Sequence, residues 1–193
     1  MVTFHQNNFM LWFCTPYDFD KKLLYSIDRY FDLIKNPEDW LVIMDGDTAF
    51  LRSDFGEVIN SYVTLYPETG LFTCYASRCH YATQVPEGVD MSRDSILYHR
   101  QVADFCSEKF KNKTIEINRR IAGHLMVIQK KTWNIIRNEV FYKAEKKFIL
   151  GVDTKISWAI LDFGFKILMM KELYIFHYLR LKEGFDYTNH LTP

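Results

Sequence analysis

Trp40-Leu41-Val42-Ile43-Met44-Asp45-Gly46-Asp47-Thr48 is the stretch on which the reading of this chain turns. Five consecutive apolar residues are what a strand covered on both faces needs, the usual situation in a sheet flanked by helices. Such a strand delivers two carboxylates, separated by one glycine, to its carboxyl end, where open α/β sheets place their ligands. Carboxylates held this closely repel, and a hard divalent cation such as magnesium or manganese relieves the repulsion. Gly46 lets a phosphate-bearing ligand approach the backbone with no Cβ in the way. The plainer alternative is a hairpin, because Asp-Gly is a strong two-residue turn signal and residues 48–51 would be the returning strand. A turn alone does not require the second acid after the glycine.

Upstream, residues 9–14 form a short apolar and aromatic run stopped by Thr15-Pro16-Tyr17, which reads as a first strand. Residues 18–35 carry Leu23, Ile27, Tyr30 and Ile34 at helical spacing, and Asn36-Pro37 ends that helix. Strand, helix and strand make a βαβ unit. Downstream, Phe55, Val58, Ile59 and Tyr62 indicate a helix, residues 70–75 a strand, and Tyr98, Val102, Phe105 and Cys106 a third helix. Residues 81–93, with Pro86 and Gly88, are the most loop-like. Residues 124–129 read as a strand, 131–138 as a short helix, and 153–163 as a helix with Ile156, Ile160 and Phe163 inward. Residues 166–169 and 173–178 close the chain as two strands. The alternation predicts an α/β fold, and the absence of repeats or linkers predicts one domain over residues 1–193.

Composition narrows the functions available. In 193 residues, 24 Lys and Arg balance 24 Asp and Glu, so no long-range field gathers nucleic acid, and none is expected as a partner. No basic leader precedes a small-residue cleavage site and no apolar run is long enough to span a bilayer, so the expectation is a soluble, cytoplasmic protein without a transmembrane segment. Cys14, Cys74, Cys79 and Cys106 are too scattered for a disulfide scaffold or a paired-knuckle zinc site, and reduced thiols are expected. Sixteen Phe and twelve Tyr suit a core and a cleft wall equally well.

Four features in order carry a resemblance: Thr15-Pro16-Tyr17 after the first strand; the apolar strand ending in Asp45-Gly46-Asp47; Ile121-Ala122-Gly123-His124 running to Lys130, with Trp133 following; and Gly151-Val152-Asp153 leading through a helix to residues 166–170 and Tyr174-Ile175-Phe176-His177-Tyr178. Together they resemble a small family 2 glycosyltransferase with the GT-A fold, of the bacterial and bacteriophage kind. The resemblance implies a mixed, mainly parallel central sheet flanked by helices. It also implies a nucleotide-sugar donor, a divalent metal, manganese or magnesium, against its diphosphate, and a glycan, lipid-linked or other hydroxyl acceptor. By this resemblance Asp47 binds the metal, His177 completes the metal site, Asp45 lies near the donor ribose or sugar, and Asp153 is the catalytic base of an inverting, hexosyltransferase-like reaction.

Each assignment has a structural alternative. His177 would otherwise be a core histidine among aromatic neighbours, and Asp153 a helix N-cap. A helix N-terminus would also keep Asp153 ionised and weakly basic. Thr15, Pro16 and Tyr17 sit where the first strand meets the nucleotide, yet also spell a turn. Gly123 is counted with the donor-binding residues. Arg78 could pair with a diphosphate or acceptor group and Gln84 with a sugar hydroxyl, or both could be solvated loop side chains. His124 stands where an acceptor would pass, or is structural. A single helix connects Thr15-Pro16-Tyr17 to Trp40, where the GT-A pattern usually has further units that help hold the nucleotide base, so the fold expected is a reduced one. A nucleotidyltransferase, or an inactive sugar-binding or assembly protein, are the alternative functions. No Gly-rich phosphate loop or basic cluster near the first strand supports nucleotidyl transfer.

Overall fold

The computed structural model describes residues 9–17, 22–79, 81–145 and 151–178. In chain order these form β1 (Leu11–Cys14), α1 (Leu23–Leu33), β2 (Trp40–Met44), β3 (Thr48–Phe50), α2 (Phe55–Leu65), β4 (Leu71–Ala76), a 3-10 turn (Ala82–Gln84), α3 (Ile96–Lys109), β5 (Thr114–Glu116), β6 (Leu125–Gln129), α4 (Lys130–Glu145), α5 (Val152–Asp162) and β7 (Ile167–His177). The strands make one sheet in the order β1-β2-β6-β4-β7-β3, with β5 also paired to β7. β1 with β2 and β4 with β7 pair in parallel, and the other pairings are antiparallel. Accordingly β1, β2, β4 and β7 point one way and β6, β3 and β5 run against them. The architecture is a mixed α/β sheet flanked by helices.

The unbroken apolar run of β2 follows from its two covers. Leu41 and Ile43 pack with Phe31 of α1, Trp133 and Ile136 of α4 and Ile160 of α5. Trp40 and Val42 face the opposite cluster, with Val58, Ile59 and Tyr62 of α2. Amphipathic α1 buries Leu24, Ile27 and Phe31, and the Phe31 ring stacks on Trp133 at 4.5 Å. Asp28 locks the same two helices together, accepting from the Trp133 indole at 3.0 Å and from the Arg137 guanidinium at 2.6 and 2.5 Å. The first residues expected in this helix, 18–21, lie outside the described residues.

Several expectations are corrected. Residues 48–50 do form a strand, but β3 does not return against β2. It pairs with β7, Thr48 opposite His177 and Phe50 opposite Ile175, because both edges of β2 are already taken by β1 and β6. The two closing strands are one strand, β7, with an irregularity opposite Cys74 and Tyr75. α4 runs on to Glu145, well beyond residue 138. Phe163 does not point inward: it follows the last residue of α5 and is 48% exposed. All four cysteines are free thiols. No helix among the described residues is long and apolar enough to cross a membrane.

Candidate functional site

β2 ends at Met44, and the next three residues turn at the carboxyl edge of the sheet. The turn is closed on Asp45, whose carbonyl accepts from the Thr48 amide at 3.2 Å and the Thr48 hydroxyl at 2.7 Å. The β3–β7 pairing then brings the end of β7 alongside, and the Tyr178 amide donates to the Asp47 carbonyl at 2.7 Å. His177 Nε2 consequently lies 3.3 Å from Asp47 Oδ1. One ligand atom from each of Asp45, Asp47 and His177 falls within 4.8 Å of the others. Two hard oxygens and one imidazole nitrogen on one side, with solvent on the other, could hold a divalent cation and leave positions open for oxygens of a bound molecule. Sequence separations of 2 and 130 residues thus converge through a three-residue strand. His177 is nearly buried, as a core histidine would be, yet its imidazole reaches the acids.

Asp45 feels both the wall of the cleft and its neighbours. Loss of hydration raises its carboxyl from 3.8 to about 6, and the charges of Asp47 and Asp153 push the same way. A cation favours the ionised form and must displace that proton. If these three residues hold manganese, its affinity is expected to fall as pH drops through about 6, by roughly tenfold or more per pH unit, because the His177 imidazole must also be unprotonated to bind. Manganese titrations at a series of pH values test this, and a flat profile through that window would exclude Asp45 as the proton-linked ligand.

Asp153 sits in the first turn of α5, and two glycines make room for it. A Cβ on Gly123 would lie 2.8 Å from the Asp153 Cβ, and one on Gly151 would collide with its carboxylate. Gly151, at φ +68°, is also in the left-handed region and occupies the N-cap position, so Asp153 is not the cap. Its Oδ1 accepts from the Thr154 amide at 2.7 Å and its Oδ2 from the Gly123 amide at 3.2 Å. Burial nevertheless raises the Asp153 carboxyl above its ordinary range, against the lowering pull of those two amides and of Arg120. Asp153 is thus more basic than a helix N-terminus alone would leave it, because loss of hydration outweighs the amides. Asp45, Gly123 and Asp153 line one cavity of about 200 Å³ with Pro16, Leu23 and Ile27.

The remaining sequence candidates separate. Pro16 lines the cavity, while Thr15 and the 77%-exposed Tyr17 border it in the chain. A Cβ on Gly46 would meet only Thr15 Cγ2 at an ordinary 3.6 Å, so packing does not require that glycine. Gln84 is fully buried and offers nothing to a sugar. Its amide nitrogen donates to Thr73 Oγ1 and the Ala122 carbonyl, and its oxygen accepts from the Ala122 amide at 2.8 Å. Arg78 is 2% exposed, so it is neither a solvated loop residue nor a group facing a diphosphate. His124 is structural: it is fully buried with Nε2 3.1 Å from the Cys74 carbonyl, and burial and His177 hold it down at about 3, hence neutral. Ser77, which brackets the His177 backbone, carried no signal in the sequence. Comparison with protein-family models and with curated proteins gives no match.

Proposed function

We propose that this chain is a metal-dependent glycosyltransferase with a reduced GT-A fold, moving a sugar from a nucleotide-sugar donor to an acceptor hydroxyl with inversion. The observation that carries the reading is the convergence of Asp45, Asp47 and His177 within 4.8 Å at the end of β2, beside a cavity shared by Asp45 and Asp153. The mixed sheet, and the single helix between β1 and β2, agree with the shortened form of that fold.

Asp45, Asp47 and His177 would hold manganese or magnesium, which when bound neutralises charge on the donor's diphosphate. Asp153, fixed by Gly123 and Thr154, takes the acceptor hydroxyl's proton as that oxygen bonds to the anomeric carbon. The anomeric carbon's bond to the diphosphate oxygen breaks, and its electron pair leaves with the diphosphate. Direct displacement needs no enzyme nucleophile, which fits a site whose second carboxylates are committed to a cation. Four free thiols suit a reducing compartment, so the cytoplasm is the proposed location.

A thermal-shift panel of nucleoside diphosphates with and without manganese tests the reading, since ligands that bind only the native state raise the melting temperature. Stabilisation by one diphosphate that chelator removes is the expected result. Stabilisation by triphosphates alone would replace sugar transfer with nucleotidyl transfer. Metal-independent glycan binding without donor turnover would leave a binding protein.

A further inference from the structure

Arg78 stands two residues beyond β4 at φ 51°, a left-handed backbone that a non-glycine residue rarely adopts, and its charged side chain is buried. Strained backbone and buried charge both oppose folding, so the surroundings must over-determine them. The guanidinium donates through Nη1 to the His177 carbonyl at 3.3 Å and through Nη2 to the Arg93 carbonyl at 2.5 Å, and lies 5.2 Å from the centre of the Phe176 ring. The preceding residue grips the same histidine: Ser77 Oγ accepts from the His177 amide at 2.9 Å and lies 3.3 Å from its carbonyl. The Arg93 carbonyl also faces His99 Nε2 at 2.8 Å, and His99 Nδ1 meets the Tyr174 hydroxyl at 2.7 Å. Burial keeps His99 below its ordinary range, so the neutral ring donates through Nε2 and accepts from Tyr174 through Nδ1. The bonds form a closed circuit from His177 through Arg78, the Arg93 carbonyl and His99 back to Tyr174 on the same strand.

We propose that Arg78 is a positioning residue of the metal centre: one arm of its guanidinium, on the His177 carbonyl, fixes the backbone that carries the imidazole beside Asp45 and Asp47, and the other, on the Arg93 carbonyl, ties that geometry to the segment before α3. This rests on the reading that those three residues hold a metal. Lysine is the informative replacement, because it keeps the charge and the backbone demand but, as a point cation on one stem, cannot span both carbonyls as a fork does.

The test is manganese affinity of the full chain, measured by calorimetry. Arg78→Lys is expected to weaken it by about ten- to a hundredfold, the usual loss when a residue that orients a metal ligand is altered. In a His177→Ala background the same substitution is expected to change affinity no further, because the ligand it orients is gone, whereas general loosening would act in both backgrounds. Should the lysine variant fail to fold, Arg78→Gln takes its place in the same cycle. Unchanged affinity in the single variant, or equal losses in both backgrounds, overturns the role of Arg78 and leaves the metal reading standing. A wild-type chain that binds no manganese removes both.

Discussion

Asp47→Asn is expected to abolish manganese-dependent binding of nucleoside diphosphates while the chain keeps its fold. The side chain is 45% exposed at a turn, outside both apolar clusters, so its replacement opens no cavity. The structural bond at this residue uses the backbone: its carbonyl accepts from the Tyr178 amide, and Asn keeps that carbonyl. The Asn oxygen can also stay near His177 Nε2, where the carboxylate oxygen now lies at 3.3 Å. What disappears is the negative charge, and a hard cation loses one of two carboxylates. A second consequence follows at Asp45. Removing a like charge should lower its carboxyl from about 6, leaving burial and Asp153 as the raising causes. Calorimetry with manganese and a nucleoside diphosphate, alongside carboxyl titration by NMR, reads both effects. Unchanged metal-dependent affinity would remove the central claim; a downward move at Asp45 with binding abolished would tie both acids to one centre.

How far these features were legible depended on how local their causes are. β2 was readable with its bounds because a strand packed on both faces needs apolar side chains at every position, and the two acids mark its end. β3 and β5, each three residues long, carry too few positions for any periodicity, and their strand character comes from pairing with β7. β7 looked divided because Lys171 and Glu172 interrupt its apolar pattern. Those residues fall where the register against β4 shifts, and Glu172 accepts from the Asn112 amide at 2.8 Å. α4 looked short because its later turns, through Asn138 and Glu139, bury few residues beyond Val140.

The site shows the same division. Asp45, Asp47 and Asp153 could be singled out because acids at a strand end and at a helix start are local patterns. The burial of Gln84 and Arg78 was not legible, since a polar side chain goes inside only when its partners are assembled there, and these lie far along the chain: Ala122 for one, His177 for the other. The raised carboxyl of Asp153 has a similar origin. Its position in the first turn of α5 suggested a weakly basic carboxylate, but burial in a cleft lined by Pro16 and by residues of α1, β2 and β6 raises it.

Asp153→Asn is expected to retain donor and manganese affinity and to lose about two to four powers of ten in the rate of sugar transfer. The native carboxylate accepts from two amides, Thr154 on one oxygen and Gly123 on the other. Asn has one oxygen to offer, so one amide loses its acceptor, a cost of about 1 kcal/mol. Against that, the variant no longer holds an ionised group where burial disfavours it, so the net change in stability should be small. Since Asp153 is not the helix cap, a large fall in melting temperature cannot be blamed on a lost cap and would instead show that the carboxylate is needed to hold Gly123, just before β6, against the start of α5. The pH profile separates the two acids of the cleft. If Asp153 is the base, then at saturating manganese, which would displace the Asp45 proton, the wild-type rate should still fall as pH drops through the raised carboxyl of Asp153, because the ionised form needed to take a proton is lost. That limb should vanish in the Asn variant. A variant that folds, binds donor and metal and turns over at the wild-type rate would defeat Asp153 as the base, whereas a folded, ligand-binding, inactive variant without the acid limb is the result that a general base in this position requires.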